Sequence, residues 1–337
     1  MRIVAFGGGH GLGASLRALR RCAAAARTGD GADPWEITAV VTVGDDGGSS
    51  GRLRAQRAAL PPGDLRQALV ALAGDDPQSR ATASLFQHRF GGTDPLAGHA
   101  VGNLVLCGLM EQLGDPVLAL GHAASMVRAG GRVLPMSREP VAIEARVRGA
   151  DPGHPDALVT VRGQHDVATS RGEVESVSLR PPAPAACREA IDALDRADWL
   201  VFGPGSWYTS VIPHLLVPDL ARAIMASRAR RIVVLNLTTE QETVGMTVPD
   251  HLAALAAYAP GLRVDVVLGD SIWVTDPKPA RHAAESLNAR LVLAPVAAPG
   301  TVARHDPHAL AAALLPLLTA GRPGPAPGAE PTQGAAR

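Results

Sequence analysis

Aromatic residues and net charge are both scarce in this chain. Phe, Trp and Tyr make up 3% of its 337 residues, and 32 basic side chains balance 32 acidic ones, so the formal net charge is zero. A neutral chain is poorly suited to a polyphosphate partner such as duplex DNA, and few aromatic rings argue against a stacking platform for single strands. We therefore expect no nucleic-acid partner.

Cysteines and long apolar runs are scarce as well. Cys22, Cys107 and Cys187 are scattered and lack metal-ligand spacing, which indicates buried thiols in a reducing compartment. The opening MRIVAFGGG holds too short an apolar run for a signal peptide, and no segment approaches membrane-spanning length without polar residues. These features predict a cytoplasmic α/β protein without a membrane partner.

Familiar catalytic motifs are missing too. The sequence contains no G-x-x-x-x-G-K-[ST], no H-E-x-x-H and no G-x-S-x-G, and no lysine accompanies its glycine-rich loops. No arrangement of His, Ser and Asp is evident either, so a covalent nucleophile is not indicated.

Apolar strand-like runs alternate with helix-forming stretches along most of the chain. Strands are predicted at RIVAF (2–6), EITAVVTV (36–43), DWLVFGPG (198–205), RRIVVLNLTT (230–239) and RVDVVLGD (263–270). Helices are predicted from Leu12 to residue 26 and at about 64–74, 79–89, 100–113, 116–129 and 307–319. This alternation predicts a Rossmann-like, doubly wound, mostly parallel sheet.

Two segments depart from that pattern. Residues 131–180 hold the short runs VAIEARV, ALVTVRG and EVESVSL between Gly, Pro and Asp, which predicts a small antiparallel β insert. Residues 321–337 are rich in Pro, Gly and Ala, and we interpret them as a disordered tail. We interpret 1–320 as a single domain that includes the insert.

The loop FGGGHGLGA follows the first strand. Gly9, Gly11 and Ala14 fit the spacing G-x-G-x-x-A, and Gly8 and His10 lie beside them. Such a loop allows a tight turn, close backbone approach and a helix start whose free N–H groups attract phosphate. Taken alone, it fits a phosphate site and a purely structural turn equally well.

The loop TVGDDGGSSGRLR (42–54) follows the second strand. Asp45 in a dinucleotide enzyme would bind ribose hydroxyls, but that leaves the rest of the loop without a role. A glycine-rich backbone with hydroxyls and an arginine is suited to cradle phosphate, while Asp45 and Asp46 are suited to hold Mg²⁺. The alternative is an Asx turn capped by serine. The phosphate-cradle candidates are Gly47, Gly48, Ser49, Ser50, Gly51 and Arg52.

Two helix starts add polar candidates. In LPPGDLRQAL, Asp64 is predicted as the N-cap, and Arg66 opposes the helix dipole, so it faces either an anionic ligand or a nearby acid. In GHAVGNL, His99 and Asn103 are spaced to share one helical face, where they contact a ligand or satisfy buried backbone.

Two later strands also end in polar loops. The segments are FGPGSWYTS (202–210) and NLTTEQET (236–243), and their candidates are Gly203, Gly205, Ser206, Tyr208, Thr209, Ser210, Asn236, Thr238 and Glu242. If the strands are parallel, the loops after the first, second and these two strands all meet at one sheet edge, where open α/β folds bind ligands. Their convergence predicts a phosphate-bearing ligand, most simply a nucleotide.

The ordered set of motifs resembles the YvcK family, also called the gluconeogenesis factors, which is related to the phospholactate transferases of deazaflavin coenzyme synthesis. The resemblance runs over roughly 1–320 and rests on FGGGHGLG, VTVGDDGGSSGRLR, LPPGDLRQAL, GHAVGNL, GPGSWYTSVIPHLL and RHDPHAL. It implies a Rossmann-like core, binding of UDP-sugars, notably UDP-N-acetylglucosamine, and a role in cell-wall synthesis and cell shape on gluconeogenic carbon. It brings no established reaction and no required cofactor. Asn236 and the hydroxyls at 206–210 would meet uracil, ribose or sugar.

The chain departs from the usual family pattern at several positions. His10 stands for a threonine, His214 for an asparagine and Trp207 for a leucine, while Val244 and Met246 replace an acid and an aromatic in a loop one residue shorter. Because His10, His214 and Met246 fall where the nucleotide sugar is expected, the identity of the sugar is open.

Three functions compete at this point. The first is a binding protein for a UDP-sugar that acts through a partner, either a cell-wall-precursor enzyme or a second copy of itself. The second is a Mg²⁺-dependent transferase that uses Asp45 and Asp46. The third, a nicotinamide dehydrogenase, rests only on G-x-G-x-x-A and Asp45.

Overall fold

A computed structural model describes residues 1–320 except 28–33, 58, 152, 155, 239 and 301–302. The predicted tail at 321–337 lies outside the described residues. Numbered in chain order, the strands of the described part are β1 (Arg2–Gly7), β2 (Glu36–Val41), β3 (Arg132–Pro135), β4 (Ala142–Arg148), β5 (Leu158–Arg162), β6 (Glu173–Arg180), β7 (Trp199–Phe202), β8 (Arg230–Val234), β9 (Val266–Asp270) and β10 (Arg290–Ala294).

The helices of the same part lie between and after these strands. They are α1 (Gly9–Ala26), α2 (Gly48–Arg57), α3 (Pro62–Leu72), α4 (Pro77–Gln87), α5 (Val101–Leu113), α6 (Pro116–Met126), α7 (Gln164–Ala168), α8 (Arg188–Asp195), α9 (Pro218–Ala226), α10 (Val248–Tyr258), α11 (Pro277–Ser286) and α12 (Pro307–Thr319). None of these helices is both long and apolar enough to cross a bilayer.

The main sheet is parallel and has the order β10-β9-β8-β7-β1-β2-β3. Its central strands are buried along nearly their whole length, as continuous apolar runs in a parallel sheet covered by helices must be. The chain moves outward from β1 to β3 and then returns to place β7 on the other side of β1. The prediction of a doubly wound, mostly parallel sheet is confirmed, with the topological switch point between β1 and β7.

A second, smaller sheet is antiparallel and has the order β5-β4-β6. It confirms the predicted strands of the β insert but begins later than expected. The segment Arg132–Pro135 pairs in parallel with β2 because its apolar residues are buried at the edge of the main sheet. The separate sheet therefore starts at Ala142 rather than at residue 131.

Several elements of the described part were not predicted from the sequence, among them β10, α2, α7 and α11. β10 closes one edge of the main sheet beside β9. The second loop turns helical at Gly48, so that the predicted cradle residues from Gly48 to Arg52 lie in α2 rather than in a loop. The two glycines and two serines in GSSGRLRAQR are weak helix formers. We therefore attribute the formation of α2 to tertiary contacts rather than to helix propensity.

Candidate functional site

A cleft of about 680 Å³ lies at the carboxyl ends of β1, β2, β7 and β8. The structure thus brings all four polar loops to one edge of the sheet, at its switch point. The predicted candidates that line the cleft are Gly8, Gly9, His10, Gly11, Asp45, Gly47, Asp64, Gly205, Ser206, Thr209, Asn236 and Thr238, together with Ala14 and Ser210.

The loops after β1 and β7 touch backbone to backbone. A Cβ built on Gly11 would lie 2.3 Å from the carbonyl oxygen of Pro204, so only glycine fits there. Gly8 is less strictly confined, because its Cβ would meet the side-chain atoms Asp64 Oδ2 at 2.3 Å and Thr42 Oγ1 at 2.6 Å, which can shift. α1 begins in this loop, and Gly8 provides no side-chain cap, so N–H groups of the first turn remain available to an anion.

Asn236 fixes the second of these loops. Its Oδ1 accepts a hydrogen bond from the Gly205 N–H at 2.9 Å, and its Nδ2 donates to the Gly205 carbonyl at 3.0 Å. Both ends of the amide are therefore engaged with the backbone. Asn236 therefore positions the loop, and because it also lines the cleft, its contact with uracil, ribose or sugar stays a prediction.

The acidic pair at the floor of the cleft is Asp45 with Asp64, not Asp45 with Asp46. Asp46 turns toward the insert, where its Oδ1 accepts the His165 N–H at 3.0 Å, and it does not line the cleft. Asp45 accepts the Gly47 N–H at 3.0 Å, and Asp64 accepts the Thr42 hydroxyl at 3.1 Å.

Asp64 is not the N-cap of α3, since Pro61 holds that position and Asp64 lies in the first turn. Burial, followed by the charge of Asp45, raises the pKa of Asp64 to about 7. In the described part of the chain, no cluster of three or more His, Cys, Asp or Glu side chains is arranged as a metal site. A metal at this floor would need oxygen ligands from its substrate.

Ser49, Ser50 and Arg52 of α2 make their contacts outside the cleft. Asn103 Nδ2 donates to Ser49 Oγ at 2.9 Å, and the same hydroxyl bonds His99 Nδ1 at 2.9 Å, with all three side chains buried. His99 precedes α5 instead of sharing its face with Asn103. Ser50 is buried, Arg52 donates to the Ala97 carbonyl, and none of these five residues or Gly48 lines the cleft.

Arg66 also lies away from the cleft. Its guanidinium is buried and donates to Gln87 Oε1, and among the described residues no carboxylate accepts a hydrogen bond from it. Burial, with the charge of Arg89, lowers the pKa of Arg66 to about 10, while Asp64 and Asp45 act in the opposite direction. Arg66 is placed to stabilise the acidic floor from the far side.

The turn after β7 is held by a buried carboxylate. The Tyr208 N–H donates to Glu242 Oε1 at 2.8 Å, and burial raises the pKa of Glu242 to about 7. Gly203, Tyr208 and Glu242 do not line the cleft; they shape the loop that does. Ser15 in α1 donates to the Gly203 carbonyl at 2.7 Å and adds a second tie between the two halves of the sheet.

The residues at which this chain departs from the family pattern differ in how deeply they are buried. His10 lines the cleft and Met246 lines an adjoining cavity. His214 is fully buried, where its Nε2 lies 3.0 Å from the Val40 carbonyl and its ring contacts Phe6 edge to face. The expectation that His214 touches the ligand is therefore wrong, because a residue beneath the sheet edge serves packing. Trp207 is likewise buried.

Several cleft residues were not named as individual candidates from the sequence, although Arg304 and His305 open the RHDPHAL motif on which the resemblance rests. Arg17 projects from α1, and Gln164 and His165 come from α7 of the insert, where Gln164 Nε2 donates to the Thr209 carbonyl at 2.9 Å. Arg304 and His305 come from the segment before α12, and burial lowers the pKa of His305 to about 4. The other unpredicted lining residues are Gln67, Ala168, Pro204, Leu237, Glu240 and Ala303.

The cleft has cations at its rim. Arg17 and Arg304 are both exposed, and neither forms an ion pair with an acidic side chain among the described residues. By contrast, Arg20 on the same helix pairs with Asp75 at 2.8 Å. Guanidinium groups beside a helix start and two glycine loops are suited to contact an anion.

Comparison with known proteins identifies the class. The sequence profile of the family described as 2-phospho-L-lactate transferase CofD matches residues 3–292. The chain therefore belongs to the CofD family. Within that family it is similar to a putative gluconeogenesis factor from Mycobacterium tuberculosis, at 50% identity over 316 residues that cover 93% of this chain and 89% of the relative.

Two further relatives support the same placement. The gluconeogenesis factor of Bacillus subtilis is 34% identical over 334 residues, covering 94% of this chain and 98% of the relative. A crystal structure of a UPF0052-family protein from Bacillus halodurans matches with a TM-score of 0.79 at 34% identity, covering 93% of this chain and 98% of that one. The resemblance to the gluconeogenesis factors is confirmed.

The contact between Gly11 and Pro204 can be tested by substitution. Gly11→Ala places a methyl against a backbone carbonyl, so we expect it to lower the free energy of unfolding by about 1–3 kcal/mol in urea titrations. Gly108→Ala on α5 is the matched control, because a Cβ there meets nothing within 4 Å. Equal unfolding free energies for the two variants would contradict the close contact.

Glu242 predicts a pH-dependent stability. Its raised pKa means that the folded state holds the proton more tightly, so its stabilising contribution is full at low pH and declines as pH rises through about 7. Glu242→Gln keeps an acceptor for Tyr208 and cannot ionise. We expect its melting temperature, relative to wild type, to be several degrees higher at pH 8 than at pH 5.5, from about 2 kcal/mol of the free energy of unfolding.

The control for this comparison is Glu285→Gln, since Glu285 is exposed on α11. Its melting temperature relative to wild type should stay constant over the same pH range. A Glu242→Gln difference that does not change with pH would refute the assignment of a buried, proton-binding carboxyl group.

Proposed function

We propose that this protein binds a UDP-sugar, with UDP-N-acetylglucosamine as the leading candidate, and acts as a cytoplasmic regulator of cell-wall precursor supply. The observation that carries the proposal is the junction of two glycine loops at the start of α1, beside Arg17 and Arg304, which form no ion pair within the described part of the chain. Backbone N–H groups at a helix start and two guanidinium groups suit the two charges of a sugar-nucleotide diphosphate.

The hydroxyl and amide groups of the cleft suit the rest of such a ligand. Ser206, Thr209 and Thr238 line the wall on the β7 and β8 side, and Gln67 and Gln164 lie across the cleft. Groups of this kind exchange hydrogen bonds with ribose and sugar hydroxyls. A ligand with a polar, multiply hydroxylated body matches this lining better than an apolar one.

The biological setting follows from the relatives. They are named gluconeogenesis factors, which supports a role for this chain in growth on gluconeogenic carbon sources. Cell shape and wall synthesis belong to the same proposal. The regulatory partner would be a cell-wall-precursor enzyme, or a second copy of the chain in a homo-oligomer.

Arg17 and Arg304 give the direct test. Each of Arg17→Ala and Arg304→Ala should weaken UDP-N-acetylglucosamine binding roughly 10- to 100-fold in isothermal titration, because a charge-assisted contact to the diphosphate is lost. Arg281→Ala, at an exposed position of α11, should leave the dissociation constant unchanged. Failure of the wild-type chain to bind any UDP-sugar would rule the proposal out.

A second function, Mg²⁺-dependent transfer from a nucleotide-activated substrate, is favoured by the facing carboxyl groups of Asp45 and Asp64. Mg²⁺ prefers one or two carboxylates together with phosphate oxygens and water, and this pair lies beside the glycine loop. When bound there, the ion would neutralise charge on a transferring phosphoryl group. Asp45 and Asp64 would hold it, and Thr42 would orient Asp64.

Asp64 makes the two functions separable by pH. Its pKa of about 7 means that it is largely protonated at pH 6 and ionised at pH 8, while a sugar-nucleotide diphosphate has no group that titrates in this range. Without metal, we expect UDP-sugar affinity to fall by roughly three- to tenfold from pH 6 to pH 8, because the new carboxylate repels the diphosphate. With Mg²⁺, affinity should instead rise with pH.

Asp64→Asn should remove both pH trends, whereas Asp75→Asn, at an exposed position, should keep them. A rise in affinity with pH that requires Mg²⁺, together with turnover of a nucleotide-activated donor, would favour the transferase. Identical pH profiles for wild type and Asp64→Asn would exclude Asp64 from the ligand site.

A further inference from the structure

A separate cavity of about 760 Å³, here called the α10 cavity, lies between the start of β6 and α10, behind the turn that follows β7. Among the described residues, none lines both this cavity and the cleft. The space stays open because α10 places the short side chains of Ala253, Ala254 and Ala257 along one wall. Val244 and Met246 extend this wall as an apolar surface, and Val244 is 68% exposed. The UDP-sugar proposal leaves this cavity without a role.

Tyr208 supplies a buried hydroxyl to the α10 cavity. The residue is 7% exposed, and its hydroxyl has no hydrogen-bond partner among the described residues. Packing does not enclose this hydroxyl, unlike the indole N–H of Trp207, so it is reached from the cavity that Tyr208 lines. Tyr258 shows the usual arrangement, since its hydroxyl accepts the Val177 N–H at 2.7 Å. Because buried phenols are normally paired, the Tyr208 hydroxyl indicates a partner from outside the described chain.

Three carboxyl groups lie around this hydroxyl. Glu173, Glu242 and Asp250 line the same cavity. Burial raises the pKa of Tyr208 to about 12, and the three acidic charges act in the same direction. Glu173 and Asp250 are exposed, whereas Glu242 is enclosed and acts through its charge alone. Arg171 is the basic residue of the lining, so three acids against one base favour a cation in this space.

The groups of the wall select the kind of cation. In the described part of the chain, no three His, Cys, Asp or Glu side chains are arranged to hold a metal ion. Carboxylates only accept hydrogen bonds, and a phenol oxygen accepts as well, so a ligand with N–H donors is required. An ammonium group carries three donors on one compact charge, and an aliphatic stem would pack on the alanine wall and Val244. An aliphatic amine therefore combines the charge, the donors and the apolar surface that the cavity calls for.

We propose that the α10 cavity binds an aliphatic ammonium group, which donates a hydrogen bond to the Tyr208 hydroxyl oxygen and is neutralised by Glu173 and Asp250. Among the described residues, the cap of α10 uses Asp250 Oδ2, which accepts both the N–H and the hydroxyl of Thr247, so Oδ1 is left for the ligand. Two sources carry this chemistry, a free polyamine and a lysine side chain of a protein partner. The site is separate from the proposed UDP-sugar site and does not depend on it.

The test is the binding of 1,5-diaminopentane to the full chain by isothermal titration at low ionic strength, with 1,5-pentanediol as the uncharged ligand of matched length. Wild type should bind the diamine and not the diol. Tyr208→Phe removes only the hydroxyl and should weaken the diamine roughly tenfold, because a hydrogen bond to a charged group is lost. Its melting temperature without ligand should equal that of wild type, because the hydroxyl has no partner within the described chain.

Two charge variants at exposed positions should change the affinity in opposite directions. Glu173→Gln should weaken the diamine roughly two- to fivefold, and Arg171→Gln should strengthen it by a similar factor. Glu285→Gln, exposed on α11 and outside the cavity wall, should bind the diamine like wild type. A change of the same sign in both charge variants would contradict the proposed neutralisation of an ammonium group.

A second probe, lysine blocked at its α-amino and carboxyl groups, identifies the source of the ammonium group. Equal affinities for blocked lysine and the diamine support the site and assign it to a lysine side chain of a partner. A diamine bound roughly tenfold or more tightly than blocked lysine supports the site and assigns it to a free polyamine, because the second ammonium then contributes.

The proposal is overturned if wild type does not bind the diamine, if the diol binds equally well, or if Tyr208→Phe keeps full affinity for the diamine. These results are distinct from those that decide the proposed function. Failure of the chain to bind a UDP-sugar would leave the α10 cavity and its test unaffected, and an absent amine site would leave the UDP-sugar proposal standing.

Discussion

Contact between two backbones, at the loops after β1 and β7, is the constraint on which the cleft depends. A single methyl on Gly11 would overlap the Pro204 carbonyl, so the two loops approach as closely as polypeptide can. The contact occurs where the strand order reverses, which is the place where an open parallel sheet leaves a crevice. Asn236 extends the same wall to the loop after β8 by bonding both backbone groups of Gly205.

The charged side chains around this junction lie at two levels of the cleft, its rim and its floor. The guanidinium groups of Arg17 and Arg304 lie at the rim, and the carboxyl groups of Asp45 and Asp64 lie at the floor. The floor tolerates two acids because burial and mutual repulsion keep a proton on Asp64 up to about pH 7. Its charge is thus adjustable near neutrality, by a proton or by a cation, while the charge of the rim is constant.

The sequence predicted the sheet, its switch edge and the four loops that meet there, because β-branched runs and the glycines after them are local signals. It did not predict α2, since GSSGRLRAQR has little helix propensity and owes its position to Ser49, whose partners His99 and Asn103 lie 50 and 54 residues away. The direction of Asp46 depends on its contact with His165 of the insert. RHDPHAL was recognised as a motif, but the position of Arg304 beside the cleft depends on the tertiary fold. Long-range contacts of this kind produce no periodic pattern in the sequence from which they could be predicted.

One side of the cleft, here called its roof, is formed by the antiparallel insert and not by the elements that carry the acidic floor. Gln164 and His165 stand on a short helix of the antiparallel insert, and the insert is tied to the floor by the hydrogen bond from the His165 N–H to Asp46 and by that from Gln164 to the Thr209 carbonyl. Residues on the insert can change without disturbing the hydrogen-bonded ladder of the main sheet. Substitutions on the roof therefore change the groups that face the cleft, while the glycine loops and the acidic floor keep their structure.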